Sequence, residues 1–99
     1  MTSSPLSAAV RDNAVAQRFE LVVDGATAFA TYRRVADRVI ITHTETPHAL
    51  RGRGIASQLV EGALRLIEAN GQRVVAGCSF VVDYLDQHPD WRRLEAPRG

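Results

Sequence analysis

Lysine is absent from this 99-residue chain, and all twelve of its basic side chains are arginine. Schiff-base chemistry and lysine-activated nucleophiles are excluded, whereas bidentate recognition of phosphate or carboxylate stays open. Genome composition produces the same bias, since arginine is ordinary on surfaces. Cysteine is nearly absent too. Cys78 stands alone, so neither an internal disulfide nor a metal-binding cysteine cluster is available, and the chain reads as a protein of a reducing compartment. No apolar run approaches the roughly 20 residues of a membrane span, and residues 1–9 lack the basic and apolar regions of a secretory signal. An excess of one charge is also missing: twelve basic against eleven acidic residues leave +1, which argues against affinity drawn from counterion release on nucleic acid. A soluble cytoplasmic globule is expected, with no membrane, nucleic-acid or metal partner. Its length suits one domain and excludes two.

The first sixteen residues carry Pro5 and three serines and sustain no apolar period, so they read as a flexible tail ahead of a compact domain over 17–95. From Arg18 the apolar residues alternate: Phe19, Leu21 and Val23 predict a strand that ends at Asp24-Gly25, a hairpin signal. ATAFATYRR continues with period two, and VIITHTET is a third strand stopped by Pro47. The period then changes. Leu59, Val60, Ala63, Leu64 and Ile67 form one helical stripe within Ile55–Ala69, closed by Asn70-Gly71. Arg73–Cys78 reads as a short buried strand, and Phe80–Gln87 as a second helix stopped by Pro89. The expected fold is α+β, in the order β-β-β-α-β-α, with helices packed on a mixed sheet. The crossover through the first helix should set the third and fourth strands parallel. Ligands in such sheets bind at the carboxyl ends of the parallel strands, here near Glu45 and Cys78.

Leu50-Arg51-Gly52-Arg53-Gly54-Ile55-Ala56-Ser57 lies at that end, between a strand and the amphipathic helix. A helix begins with unpaired N–H groups and a positive dipole end, and glycines ahead of it let main chain approach a pyrophosphate. Arg51 and Arg53 add charge-assisted donors. The pattern is neither a Walker loop nor G-x-G-x-x-G. It matches [QR]-x-x-G-x-[GA], with Arg51, Gly54 and Ala56 in the fixed positions, and so resembles the acyl-CoA loop of the GCN5-related N-acetyltransferases. His43-Thr44-Glu45 ahead of the loop, Cys78-Ser79-Phe80-Val81 after the last strand, and His88-Pro89 with Trp91 sharpen the resemblance to a compact branch of about this length, over roughly Arg18–Trp91.

The resemblance implies that acetyl-CoA is a co-substrate, held by residues 50–57 and in the gap between the two parallel strands, and that the reaction is acetyl transfer to a small-molecule or protein amine. The alternative is a non-catalytic acyl-CoA-binding or regulatory module. Full-size members carry a helix pair between their first two strands that walls the acceptor site, and here Asp24-Gly25 turns directly into the next strand. Acyl transfer needs a neutral amine and a proton for the departing thiolate. Glu45 and His43, two residues apart on a strand, are candidate bases, though Glu45 also suits an edge carboxylate satisfied by loop N–H groups and His43 a packed polar residue. Cys78, ahead of a helix N-terminus, is a candidate acyl carrier or an inert packing residue. Tyr84 occupies the helix where relatives keep a tyrosine that protonates the thiolate, or it is a core tyrosine. A monomer or weak dimer is expected.

Overall fold

The computed structural model describes residues 10–97. Five strands form one sheet in sequence order: β1 (Arg11–Asn13), β2 (Arg18–Val23), β3 (Ala26–Val35), β4 (Arg38–Glu45) and β5 (Arg73–Ala76). Helix α1 (Ile55–Ala69) joins β4 to β5, and α2 (Ser79–Gln87) follows β5. The first four strands are antiparallel and the β4–β5 pair is parallel, as the crossover rule requires. Helix α1 has the bounds its apolar period predicts. Short 3-10 turns lie at His48–Leu50 and Pro89–Leu94.

The strand order departs from expectation at its start. Arg11–Asn13 pairs with Arg18–Glu20, and Val10 is buried at 5% exposure. Side chains explain why this polar segment pairs: Asp12 accepts a hydrogen bond from the Tyr32 hydroxyl, and Asn13 Nδ2 donates to Glu20 Oε2 at 3.0 Å. A tail expected to stay flexible to residue 16 is thus strand by residue 11. Its first nine residues lie outside the described region.

One core holds the elements together. Phe19, Leu21, Ala28, Ala30, Tyr32, Val39 and Ile41 turn inward from the sheet against Leu59, Val60, Ala63, Leu64 and Ile67 of α1 and Val81, Tyr84 and Leu85 of α2. Trp91 is half-buried at the margin of this core, with Arg93 and Arg65 at 5.0 and 5.7 Å from its ring. Among the described residues no helix packs on the opposite sheet face. The chain after Leu94 returns to β5, where Ala96 N–H donates to Val74 O at 2.8 Å. No helix of the described residues is long and apolar enough to cross a membrane.

Two local features shape the carboxyl end of β4. The register with β3 slips between Thr31 and Tyr32: Tyr32 faces Ile41, whereas Thr31 faces His43. Thr42 is the extra residue of a β-bulge. Val39, Ile41, His43 and Glu45 alternate with period two and would all face the core in a regular strand. The bulge moves His43 and Glu45 to the opposite face, beside Thr31 and Phe29.

The second feature is the end of the parallel pairing. β5 pairs with Arg38–Ile41 only, and Gly77 N–H adds a last bond to Ile41 O at 2.8 Å. Thr42–Glu45 therefore have no β5 partner, and a gap opens between the end of β4 and the start of α2. A Cβ on Gly77 would stand 2.8 Å from Ile41 O and 3.3 Å from Ile40 Cγ2, so the close approach requires glycine.

Gly77→Val is expected to destabilise the fold by about 1–3 kcal/mol, the usual cost of forcing atoms into a packed site, read as a lower urea midpoint. A second expectation concerns acid. Arg18, then Asn13, hold the buried Glu20 carboxyl below its ordinary pKa through hydrogen bonds. A depressed carboxylate contributes stability that is complete above its unfolded pKa, near 4.5, and is lost as pH falls through the folded value. Melting temperature measured from pH 7 downward should therefore fall less steeply below about pH 4.5 in Glu20→Gln than in wild type.

Candidate functional site

A cavity of about 530 Å³ occupies the gap beyond the β4–β5 pairing. Its walls are His43–Thr46 from the end of β4, Leu50–Gly52 and Gly54 from the loop, Ile55–Ser57 from the first turn of α1, and Phe80 from α2. The site follows from the topology: parallel strands leave an opening at their carboxyl ends, and the crossover helix must start there.

The loop leaves main-chain donors unpaired beside the cavity. Gly52 and Gly54 have φ of +78° and +72°, in the left-handed region that side chains rarely adopt, and neither would meet a neighbour through a Cβ. Their role is conformational. Gly54 caps α1, no side chain bonds to its first turn, and no acidic residue lies there. The Ile55, Ala56 and Ser57 N–H groups thus lack an intrahelical partner and keep the positive end of the helix dipole beside the cavity. α2 begins in the same manner, with Cys78 as a cap that makes no side-chain hydrogen bond. Arg51 donates from Nε to Thr46 O at 3.3 Å, which ties the loop to the end of β4.

Arg53 behaves differently from its neighbour. Its Nη1 meets Asp24 Oδ2 at 3.0 Å, so it anchors the loop to the β2–β3 hairpin and does not line the cavity. The hairpin aspartate had no visible link to the loop in the sequence, being 29 residues away.

His43 and Glu45 are brought together: Nε2 and Oε1 are 2.7 Å apart at the cavity wall, and both side chains are about half exposed. Cys78 and Tyr84 are not among the lining residues. Cys78 is partly buried, one residue ahead of α2, and packs against the core. Tyr84 is 6% exposed and stacks on His88 with ring centroids 4.2 Å apart. Burial pushes its phenol pKa up, and nearby Glu61 adds to the rise. Phe80, Thr44 and Thr46 line the cavity although the sequence marked none of them as a catalytic or cofactor-binding residue. Phe80 was the most visible of these, an apolar residue opening a helix straight after a strand. Among the described residues no group of three or more His, Cys, Asp or Glu could hold a metal ion.

Comparison with known proteins agrees with this geometry. The family model for GCN5-related N-acetyl-transferase matches residues 18–94. Protein NATD1 of Homo sapiens and of Gallus gallus are each 33% identical over 69 residues, 69% of this chain. The chain spans 61% and 63% of their respective lengths. The solution structure of a GCN5-like protein from Staphylococcus aureus superposes with a TM-score of 0.68 at 23% identity, covering 98% of this chain and 94% of that one. That likeness shows the fold, a GCN5-like mixed sheet with packed helices. Sequence match, fold and loop converge, and the chain belongs to the GCN5-related N-acetyltransferase family.

Proposed function

We propose that this protein is an acyl-CoA-dependent N-acyltransferase that moves acetyl from acetyl-CoA to an amine. One observation carries the reading: an uncapped helix N-terminus with its glycine loop shares a single cavity with the His43–Glu45 pair. An anion cradle beside a proton-accepting pair is what a phosphate-tailed acyl donor and an ammonium acceptor need. Acetyl-CoA supplies the activated acetyl group as a thioester.

The site residues suit the donor. The N–H groups of residues 54–57 would hold the pyrophosphate, with Gly52 keeping the main chain open and Arg51 adding a charged donor. Thr42–Glu45, unpaired on the β5 side, offer main-chain groups to the amides of a pantetheine arm. Arg53 steadies the loop through Asp24. Glu45 takes the proton that an ammonium must lose before its nitrogen can attack, and His43, 2.7 Å away, shares that proton and orients the carboxylate.

Direct transfer is favoured over an acetyl-Cys78 route, because the proton-accepting pair lines the cavity and the thiol does not. Tyr84, buried and stacked on His88, is given a packing role. The uncovered sheet face beside Glu45 favours a second reading, an acyl-CoA-binding module without turnover, since no helix walls the acceptor side among the described residues.

Calorimetric titration should show acetyl-CoA binding to the wild-type protein. The Arg51→Ala, Gly54→Val double variant should bind roughly 10–100-fold more weakly, as expected from losing one charge-assisted contact and the left-handed loop turn. Equal binding by the variant would remove the loop from the donor site. Glu45→Gln should keep acetyl-CoA affinity while thioester turnover with an amine acceptor drops roughly 100-fold or more. If the wild type binds but transfers to no amine, the binding-module reading replaces the enzyme.

A further inference from the structure

Beside the His43–Glu45 pair, the open sheet face carries an aromatic and a cationic side chain that the reading above leaves without a role. Glu20, Phe29 and Glu45 lie in register across β2, β3 and β4. Residues paired in this way project from the same face. The Arg18 guanidinium sits 4.5 Å from the centre of the Phe29 ring, and its Nε donates to Glu20 Oε2 at 2.6 Å. Glu20 also faces Arg11 at 3.8 Å, so two arginines meet one buried carboxylate and the corner keeps a positive charge. The Arg18 side chain is 34% exposed, and among the described residues its two Nη nitrogens have no hydrogen-bond partner.

Across the strands the order is therefore carboxylate, aromatic ring, guanidinium. Arg18 reaches over Phe29 from β2, and β2 and β4 are two strand spacings, about 10 Å, apart. A hydrogen bond of about 2.8 Å at each end leaves about 4–5 Å for the ligand's own charged ends, longer than an α-amino acid spans and near the span of an amine and a carboxylate joined by three methylenes.

We propose that this strip is the acceptor subsite and that it selects an ω-amino carboxylate: ammonium at Glu45, methylenes along Phe29, carboxylate at the Nη donors of Arg18. The inference rests on the N-acyltransfer reading. The step balances without another reactant. The ammonium proton passes to Glu45, the amine nitrogen bonds to the acyl carbon of the thioester, the carbon–sulfur bond breaks as the thiolate leaves with its electron pair, and the second proton lost by the nitrogen is taken up through solvent by that thiolate. A guanidinium already fixed by Glu20 recognises the far carboxylate with little further ordering.

The experiment compares 4-aminobutanoate, 4-aminobutanamide and butylamine as acceptors from acetyl-CoA, following thiol release and the mass of the N-acetyl product. The wild type should use 4-aminobutanoate with kcat/KM roughly 10-fold or more above the other two, the scale of a charge-assisted pair. Glycine should fall below 4-aminobutanoate, because its charges are too close together. Arg18→Gln should erase the difference between 4-aminobutanoate and its amide, with folding checked by thermal melt because Glu20 loses a partner. Arg18→Lys should restore part of it, and the wild-type comparison stands even if the glutamine variant fails to fold. Equal use of all three amines overturns the subsite and leaves N-acyltransfer intact. Transfer to none of them overturns the subsite, and a wider amine screen then decides whether the transferase reading falls with it.

Discussion

The bond from Gly77 N–H to Ile41 O is where the two parallel strands stop being a sheet and start being a site. Up to that point β4 and β5 share a ladder and bury Val39, Ile41 and Val74 against the helices. Beyond it β4 continues to Glu45 paired only with β3, and β5 gives way to α2. Only glycine permits the approach, since a Cβ there would collide with the carbonyl oxygen that accepts the bond. The cavity, the edge of Thr42–Glu45 left without a β5 partner and the two helix N-termini at its rim all follow from this divergence. The core supplies the rigidity that keeps the gap open.

The arginines that replace lysine throughout the chain fall into distinct environments. Several make exposed ion pairs with near neighbours, Arg65 with Glu61 and Arg92 with Glu95 among them, and such pairs contribute little to stability. Others gather around the strands. Arg53 holds the loop to the hairpin at Asp24, and Arg18 and Arg11 converge on Glu20. Arg51 stays on the cavity wall, hydrogen-bonded to a main-chain oxygen and not to a carboxylate. The guanidinium suits these tasks because its planar fork bonds a carboxylate or carbonyl while further donors remain free.

Much of the fold was legible because its signals are local. The period of α1, the turn at Asp24-Gly25, the stop at Asn70-Gly71 and the β4–α1–β5 crossover need only neighbouring residues and chain handedness. The loop was legible for the same reason, as a contiguous string. β1 was not, because Arg11–Asn13 is polar and pairs through Asp12 with Tyr32 and through Asn13 with Glu20, contacts 20 and 7 residues apart. Arg53 and Tyr84 show the same limit on site reading. Its place in the loop made Arg53 a candidate and the family resemblance made Tyr84 one, but Arg53 turns to Asp24 and Tyr84 into the core, directions set by partners elsewhere in the chain.

The sequence by itself determined the two helices, strands β2 to β5, the crossover, the glycine loop at a helix start and the spacing that puts His43 and Glu45 on one side of a strand. It did not determine which side. Val39, Ile41, His43 and Glu45 share one period, and read straight they place a histidine and a carboxylate against the apolar core. The bulge at Thr42 reverses that, carrying the pair to the open face opposite Thr31 and Phe29. The reason is physical: one extra residue shifts a two-residue period by half its length, and whether the strand admits it depends on pairing with a neighbouring strand, which no single segment encodes.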